Sequence, residues 1–279
     1  MSNIIDLRSS LRRFGDSLRK AEKSSATVGK YLRDAKHFLL YLDGGQITKE
    51  RTVAYKRYLQ EQGYRVSSVN SMLASVNAFL TFLGMSQCRV KFVRTQRKVY
   101  TPAEKELTKD EYMRLLEASS ANRKLNLVLQ TICGTGIRIS ELRYFTVEAV
   151  QTGEINVYCK NKTRTILLPG LLRKRLLKYA KDRNLSTGAI FVTRSGKPMD
   201  RSNIWTQMKR LCAAANVDPG KVFPHNLRKL FARCFYGISR DIAKLADVLG
   251  HGSIETTRIY IMTTGREHRR QLEQLHLII

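Results

Sequence analysis

Acidic side chains are scarce: 23 Asp and Glu stand against 50 Lys and Arg among 279 residues, a formal net charge of +27. An excess of one sign this large works against a compact fold unless a polyanion neutralises it, and nucleic acid is the usual polyanion. The excess is shared almost equally between residues 1–105 and 106–279. It is therefore not a basic tail on a neutral domain, and both halves are expected to face the same partner. Carboxylate clusters are lacking too. Neither HExxH nor DxD occurs, so no metal site is expected, and without a Walker-type glycine loop neither is a nucleotide cofactor. The five cysteines, Cys88, Cys133, Cys159, Cys212 and Cys234, are odd in number and widely spaced, with no CxxC. That pattern excludes a disulfide framework and a zinc site. No apolar run approaches the roughly 20 residues of a membrane span. Residues Met1–Phe14 mix Asp6 with Arg8, Arg12 and Arg13 and hold no apolar core of a secretory leader. No membrane partner and a cytoplasmic location are the expectation.

What is present reads first as helices. Val28, Tyr31, Leu32, Ala35, Phe38, Leu39 and Leu42 recur at helical spacing, with Thr27 as the expected N-cap and Asp43-Gly44-Gly45 as the stop. A second helix is expected over Thr48–Gln62. A third carries Val69, Met72, Leu73, Val76, Phe79 and Leu80, capped by Ser67 and stopped by Gly84, and Leu7–Lys20 suits a shorter leading helix. Short connections between amphipathic helices imply a small all-α bundle over residues 1–88. No acidic residue occurs from Gln62 to Ala103. Within that stretch Arg65, Ser67, Asn70, Ser71, Ser75 and Asn77 lie off the third helix's apolar stripe. Arg89, Lys91, Arg94, Arg97 and Lys98 then form a basic linker, residues 89–105, without apolar period. A solvated face and a flexible tether would look similar, but acid avoidance this long favours DNA phosphates as the partner.

The remainder, residues 106–279, reads as α+β and mainly helical. Thr108 to Glu111 fits a capping box. Glu154–Cys159 and Thr165–Leu168 suit a hairpin around Lys160-Asn161-Lys162-Thr163, Ala189–Thr193 suits a third strand, and helices are expected at about 201–215, 225–236, 240–249, 254–261 and 266–276. Three segments gather cations near glycine breaks and helix starts: Gly134-Thr135-Gly136-Ile137-Arg138-Ile139-Ser140-Glu141-Leu142, then Pro224-His225-Asn226-Leu227-Arg228, then Leu249-Gly250-His251 with Tyr260 nine residues on. Metal-free phosphodiester chemistry needs a nucleophile, cations around the phosphate and a proton donor, and these residue types supply them. Taken singly, each is equally what a surface arginine, a helix-start histidine or a core tyrosine would give.

In this order and spacing, the segments resemble the tyrosine recombinase (phage integrase) family, and most nearly its Xer-like and mobile-element members. The resemblance runs motif by motif over residues 106–279; before that it extends only to helical pattern and basic character, as in a core-binding domain. It implies that Arg138 and Arg228 grip the scissile phosphate and that Tyr260 attacks it to form a 3′-phosphotyrosine. It also implies His225 as general base or proton shuttle, His251 as a phosphate ligand that helps seat the tyrosine, and Glu141 as the acid orienting its neighbours. The family's hairpin lysine, which protonates the leaving 5′-oxygen, falls on Lys160 or Lys162. The tract here lacks one residue between its two lysines, and Lys160 is favoured because it closes the first strand, leaving Lys162 as a phosphate-contacting or solvated turn lysine. Further implications are double-stranded DNA with a specific recombination site as partner, a homotetramer on that DNA, accessory proteins in some members, and no metal or nucleotide. The apolar end, Leu272, Leu275, Leu277, Ile278 and Ile279, would dock onto a neighbouring protomer. A type IB topoisomerase-like nicking and closing enzyme is the alternative reading. A DNA-binding protein without catalysis is a second, which the presence of Arg138, Arg228 and Tyr260 disfavours.

Overall fold

The computed structural model describes residues 7–94, 103–159, 162–193, 195–262, 269–270 and 272–275. The chain divides into two compact units, Met1–Arg97 and Lys98–Ile279.

In the first unit four helices, α1 (Leu7–Lys20), α2 (Ser25–Leu42), α3 (Lys49–Glu61) and α4 (Val66–Phe82), enclose one core. Phe14 of α1 packs against Phe79 and Phe82 of α4, with ring centroids 5.2 and 5.4 Å apart. Two expected caps move. The α2 cap is Ser24, whose hydroxyl accepts from the Thr27 N–H, so Thr27 lies inside the first turn. Ser67 likewise lies inside α4: the left-handed Gly63 turns the chain so early that Arg65 takes the N-cap position, with no side-chain cap bond. Asp43 closes α2 in the left-handed region, φ 45°.

Ser75 and Asn77, expected on the polar face of α4, are buried. Each has a partner that sequence periodicity cannot reveal. Ser75 Oγ donates to Asp34 Oδ2 at 2.8 Å, on a carboxylate that also takes Lys30 Nζ at 2.6 Å. Asn77 and Asn70 stand two turns apart on one helix face and serve as surrogate strand partners for the chain that follows. Asn77 donates to the Val90 carbonyl and accepts from the Val90 N–H, both at 2.9 Å. Asn70 treats Val93 in the same way, at 2.9 and 2.8 Å. The basic segment expected as a linker from residue 89 is thus tied to α4 through at least Val93. Val90 is buried, while Arg89, Lys91 and Arg94 are exposed. Asn77→Ala leaves both polar groups of Val90 without partners. It is expected to lower unfolding free energy by about 1–3 kcal/mol, read as a lower urea midpoint; an unchanged midpoint would mean that the strap is not held this way.

The second unit contains α5 (Lys109–Ala118), α6 (Arg123–Thr135), α7 (Val147–Thr152), strands β1 (Glu154–Cys159) and β2 (Lys162–Leu167), α8 (Gly170–Asp182), α9 (Arg201–Ala214), α10 (Pro224–Ser239), α11 (Ile242–Leu249) and α12 (Ile254–Ile261). The Thr108 capping box forms, with Glu111 accepting from the Thr108 N–H. β1 and β2 pair antiparallel with Cys159 opposite Lys162, so the connection is Lys160-Asn161 and Lys162 belongs to the strand rather than the turn. Among the described residues the sheet has only these two strands. The expected third strand at Ala189–Thr193 is instead a core plug. Ile190 and Phe191 are buried, and the backbone is satisfied by single bonds to Phe145 and Met199 rather than by a ladder. Leu272 and Leu275 are exposed; Leu277, Ile278 and Ile279 of the expected docking tail lie outside the described residues. No described helix is long and apolar enough to cross a membrane.

Candidate active site

Two helix C-termini converge in the second unit. α6 closes on Gly136 and α11 on Gly250, each with φ 64°. The last carbonyls of a helix lack partners within it and carry the negative end of its dipole, so they favour cations. Arg228, projecting from α10 and 2% exposed, reaches both ends. Its Nη1 donates to the Gly136 carbonyl and its Nη2 to the Leu249 carbonyl at 2.7 Å. The carbonyls on either side of Leu249 hold two more guanidiniums: Arg164 Nη1 donates to Val248, and Arg138 Nη2 donates to Gly250 at 3.4 Å. Three consecutive carbonyls at the end of α11 thus seat three different arginines. A Cβ on Gly136 would lie 2.3 Å from the Phe231 ring, so the approach of α6 to α10 requires glycine there.

Glu141 organises Arg138 locally. Three residues apart at the start of a 3-10 turn, the pair form a box. The Arg138 N–H donates to Glu141 Oε2 at 2.7 Å, and Arg138 Nη1 to Oε1 at 3.0 Å. The buried carboxylate also takes Arg164 Nη2 on Oε2 at 2.6 Å. Both its oxygens are occupied, so it holds arginines in place rather than moving protons.

The imidazoles lie against the phenol. The His225 and His251 ring centroids are 5.1 and 4.9 Å from that of Tyr260, and the Arg228 guanidinium carbon is 5.9 Å from the same ring. Arginine only donates, so His251 Nε2 must accept from Arg228 Nη2 at 3.0 Å. Its proton therefore sits on Nδ1, which donates to the buried Thr257 hydroxyl at 2.9 Å. Burial, then the cations Arg228, Arg138 and Arg164, push the His251 pKa down to about 4, so this ring is neutral at pH 7. His225 is lowered by burial and by Lys229, Arg228 and Arg138. Burial first, and Arg138 next, bring Arg228 down to about 10, still a cation at neutral pH.

Arg138, Glu141, His225, Arg228, His251 and Tyr260 therefore form one cluster. Lys160 lies outside the described residues, as do Arg97 and Lys98, and Lys162 is described only as the first residue of β2. On the helical unit, Arg65, Ser67, Ser71, Arg89, Lys91 and Arg94 are exposed, whereas the Asn70 amide is occupied at both ends by Val93. Sequence reasoning missed Arg164 and Thr257. Arg164 had a readable signal, since strand alternation sets it on the face of buried Ile166. Thr257 had none beyond its i+6 spacing from His251.

The buried side-chain donors left without a partner, among the described residues, are the Nε atoms of Arg164 and Arg228. Guanidiniums gathered beside a phenol and two imidazoles suit a phosphate monoanion. No described group of three His, Cys, Asp or Glu could hold a metal ion.

Residues 105–266 match the phage integrase family, and residues 11–87 match the phage integrase N-terminal SAM-like domain. The chain belongs to the phage integrase family. The recombinase is similar to tyrosine recombinase XerA of Pyrococcus furiosus, 27% identical over 276 residues that span 96% of this chain and 94% of that protein. Among solved structures it resembles a XerA recombinase at 25% identity and TM-score 0.55, over 98% of this chain and all of that one. It also shares its fold with a lambda integrase tetramer bound to a Holliday junction, TM-score 0.73 at 18% identity, covering 93% of this chain and 78% of that one. The recombinase is thus of the Xer type, a site-specific recombinase with a helical SAM-like domain and a mainly helical catalytic domain bearing a small antiparallel sheet.

Proposed function

We propose that the recombinase exchanges DNA strands through a covalent phosphotyrosine at Tyr260. The Tyr260 oxygen attacks the scissile phosphorus and forms the O–P bond as the bond to the 5′-oxygen breaks. The phenol proton passes to His225, and the 5′-oxygen takes a proton from Lys160. A 3′-phosphotyrosine and a free 5′-hydroxyl result. Arg138 and Arg228 neutralise the non-bridging oxygens as charge builds on them, and His251, packed against the Tyr260 ring, seats the phenol. The reverse reaction with a 5′-hydroxyl from a different strand expels the phenol and reseals the duplex. The covalent intermediate retains the phosphodiester's energy, so rejoining draws on no nucleotide.

The observation that carries this reading is the packing of Tyr260 against His225 and His251 with the Arg228 guanidinium near its ring. The helical unit grips duplex DNA through Arg65, Ser67, Ser71, Arg89, Lys91 and Arg94, with Arg97, Lys98 and Lys162 as further phosphate contacts. Exchange of two duplexes requires four cuts, hence four protomers on two specific sites; the lambda integrase tetramer on a Holliday junction supports that assembly. The test incubates the protein with a nicked suicide duplex and, separately, with two intact cognate sites. The expected results are a covalent adduct whose DNA-bearing peptide contains Tyr260, and four-way junctions joining the two sites. Plasmid relaxation without any junction would favour the topoisomerase-like alternative.

A further inference from the structure

Among the described side chains, three of the four on the inward face of the β1–β2 hairpin are apolar: Ile155, Val157 and Ile166 are buried. The fourth, opposite Val157 in the register, is Arg164. An arginine on a core face needs partners for its charge, and its partners come from the cluster around Tyr260. One terminal nitrogen bonds the Glu141 oxygen that also accepts the Arg138 N–H. The other bonds the Val248 carbonyl, 84 residues away, one residue before the carbonyl that holds Arg228. The stem lies directly on Gly250, where a Cβ would stand 2.5 Å from Arg164 Cδ. Its side chain is 14% exposed. Two points fixed from one guanidinium set both the distance and the tilt of β2 relative to the Arg138–Glu141 pair and the α11–His251 turn. A single hydrogen bond would leave the tilt free.

We propose that Arg164 is a positioning residue that locks the β1–β2 hairpin onto the phosphate-gripping arginines, and so sets where the proton donor carried between the strands meets the leaving oxygen. Lys160 and Asn161 join β1 to β2, and Arg164 lies four residues after Lys160. A hairpin hinged elsewhere on the domain could swing its tip without disturbing Arg138 or Arg228; Arg164 couples the two. The inference rests on the proposed phosphotyrosine chemistry, with its proton donor on this hairpin.

Arg164→Gln and Arg164→Lys are compared with the unaltered protein in single-turnover cleavage of suicide duplexes that leave either a 5′-oxygen or a 5′-sulfur. Sulfur departs without needing a proton, so the pair reads proton delivery apart from phosphate grip and from general loss of structure. For Arg164→Gln, cleavage of the oxygen substrate is expected to slow by about 10²-fold, the scale of lost general acid catalysis, and the sulfur substrate to recover most of that loss. Arg164→Lys, which keeps the charge but not the two-point fork, should show the same pattern more weakly. Equal slowing on both substrates would assign Arg164 to phosphate binding or simple stability and overturn the proposal, as would unchanged cleavage of the oxygen substrate in both variants. If the unaltered protein forms no adduct with either substrate, the proposed chemistry fails instead. A Gln variant that does not fold leaves the Lys variant to decide by the same ratio.

Discussion

Replacing Tyr260 with phenylalanine abolishes covalent adduct formation on a suicide duplex and leaves DNA binding in place. The substitution removes one oxygen and nothing else. The ring that packs against His225 and His251 is retained, and so is the face presented to Arg228. Tyr260 is 8% exposed, and its surroundings on α10, α11 and α12 keep their contacts, so the fold should persist. The adduct rate should fall by about 10⁴-fold or more, the scale on which removal of a nucleophile acts. The measurement is a denaturing gel of protein and labelled DNA, beside a mobility shift of the same duplex. Adduct that persists undiminished would transfer the nucleophile's role to another of the twelve tyrosines. Loss of both adduct and binding would mean that the phenol helps to build the DNA surface rather than to cut.

Arg228→Lys is the second change with a large effect, and it separates charge from geometry. Arg228 satisfies the Gly136 carbonyl, the Leu249 carbonyl and His251 Nε2 at once, from the two ends of a planar fork. A lysine ammonium keeps the positive charge but cannot span the ends of α6 and α11. Two consequences follow. Stability should drop by about 1.5–3 kcal/mol, the range for lost hydrogen bonds to a charged group. Cleavage should fall by about 10²–10³-fold, as for removal of one preorganised donor to a charge-bearing oxygen. The His251 tautomer also loses its cause: with no guanidinium donating to Nε2, the proton is free to leave Nδ1 and the bond to Thr257 is no longer enforced. Urea unfolding and single-turnover cleavage on the same preparation test both parts. A lower midpoint with cleavage within a few-fold of the original would make Arg228 a structural bridge and remove it from the phosphate.

The residues of the cluster could be named from sequence because the order and spacing of three motifs resemble those of the phage integrase family, and local signals stand beside several of them. Gly136 and Gly250 end helices, Glu141 stands three residues after Arg138, and His225 and Arg228 share a turn of α10. Caps, glycine stops and helical spacing are settled within about four residues of chain, so the core helices fell close to their expected bounds. Apart from the shifted caps of α2 and α4, errors arose where a short-range rule met a long-range partner. Ser75 and Asn77 look like surface residues until Asp34 and Val90 supply their hydrogen bonds. The run from Ala189 to Thr193 looks like a strand until Ile190 and Phe191 are drawn singly into the core.

The amino-acid order alone set two arginines, two imidazoles and a phenol at the spacings that resemble the family's motifs, in a basic background that suits a polyanion. Which of them touch was decided by tertiary structure, because the bonds that bring Arg228 and Arg138 to the end of α11 span 21 and 112 positions of the chain. Arg164 shows the reason most clearly. Its strand pattern marks an inward side chain. Only the packing of α11 and of the Arg138–Glu141 turn against the hairpin supplies the carbonyl and the carboxylate that let an inward charge stay there.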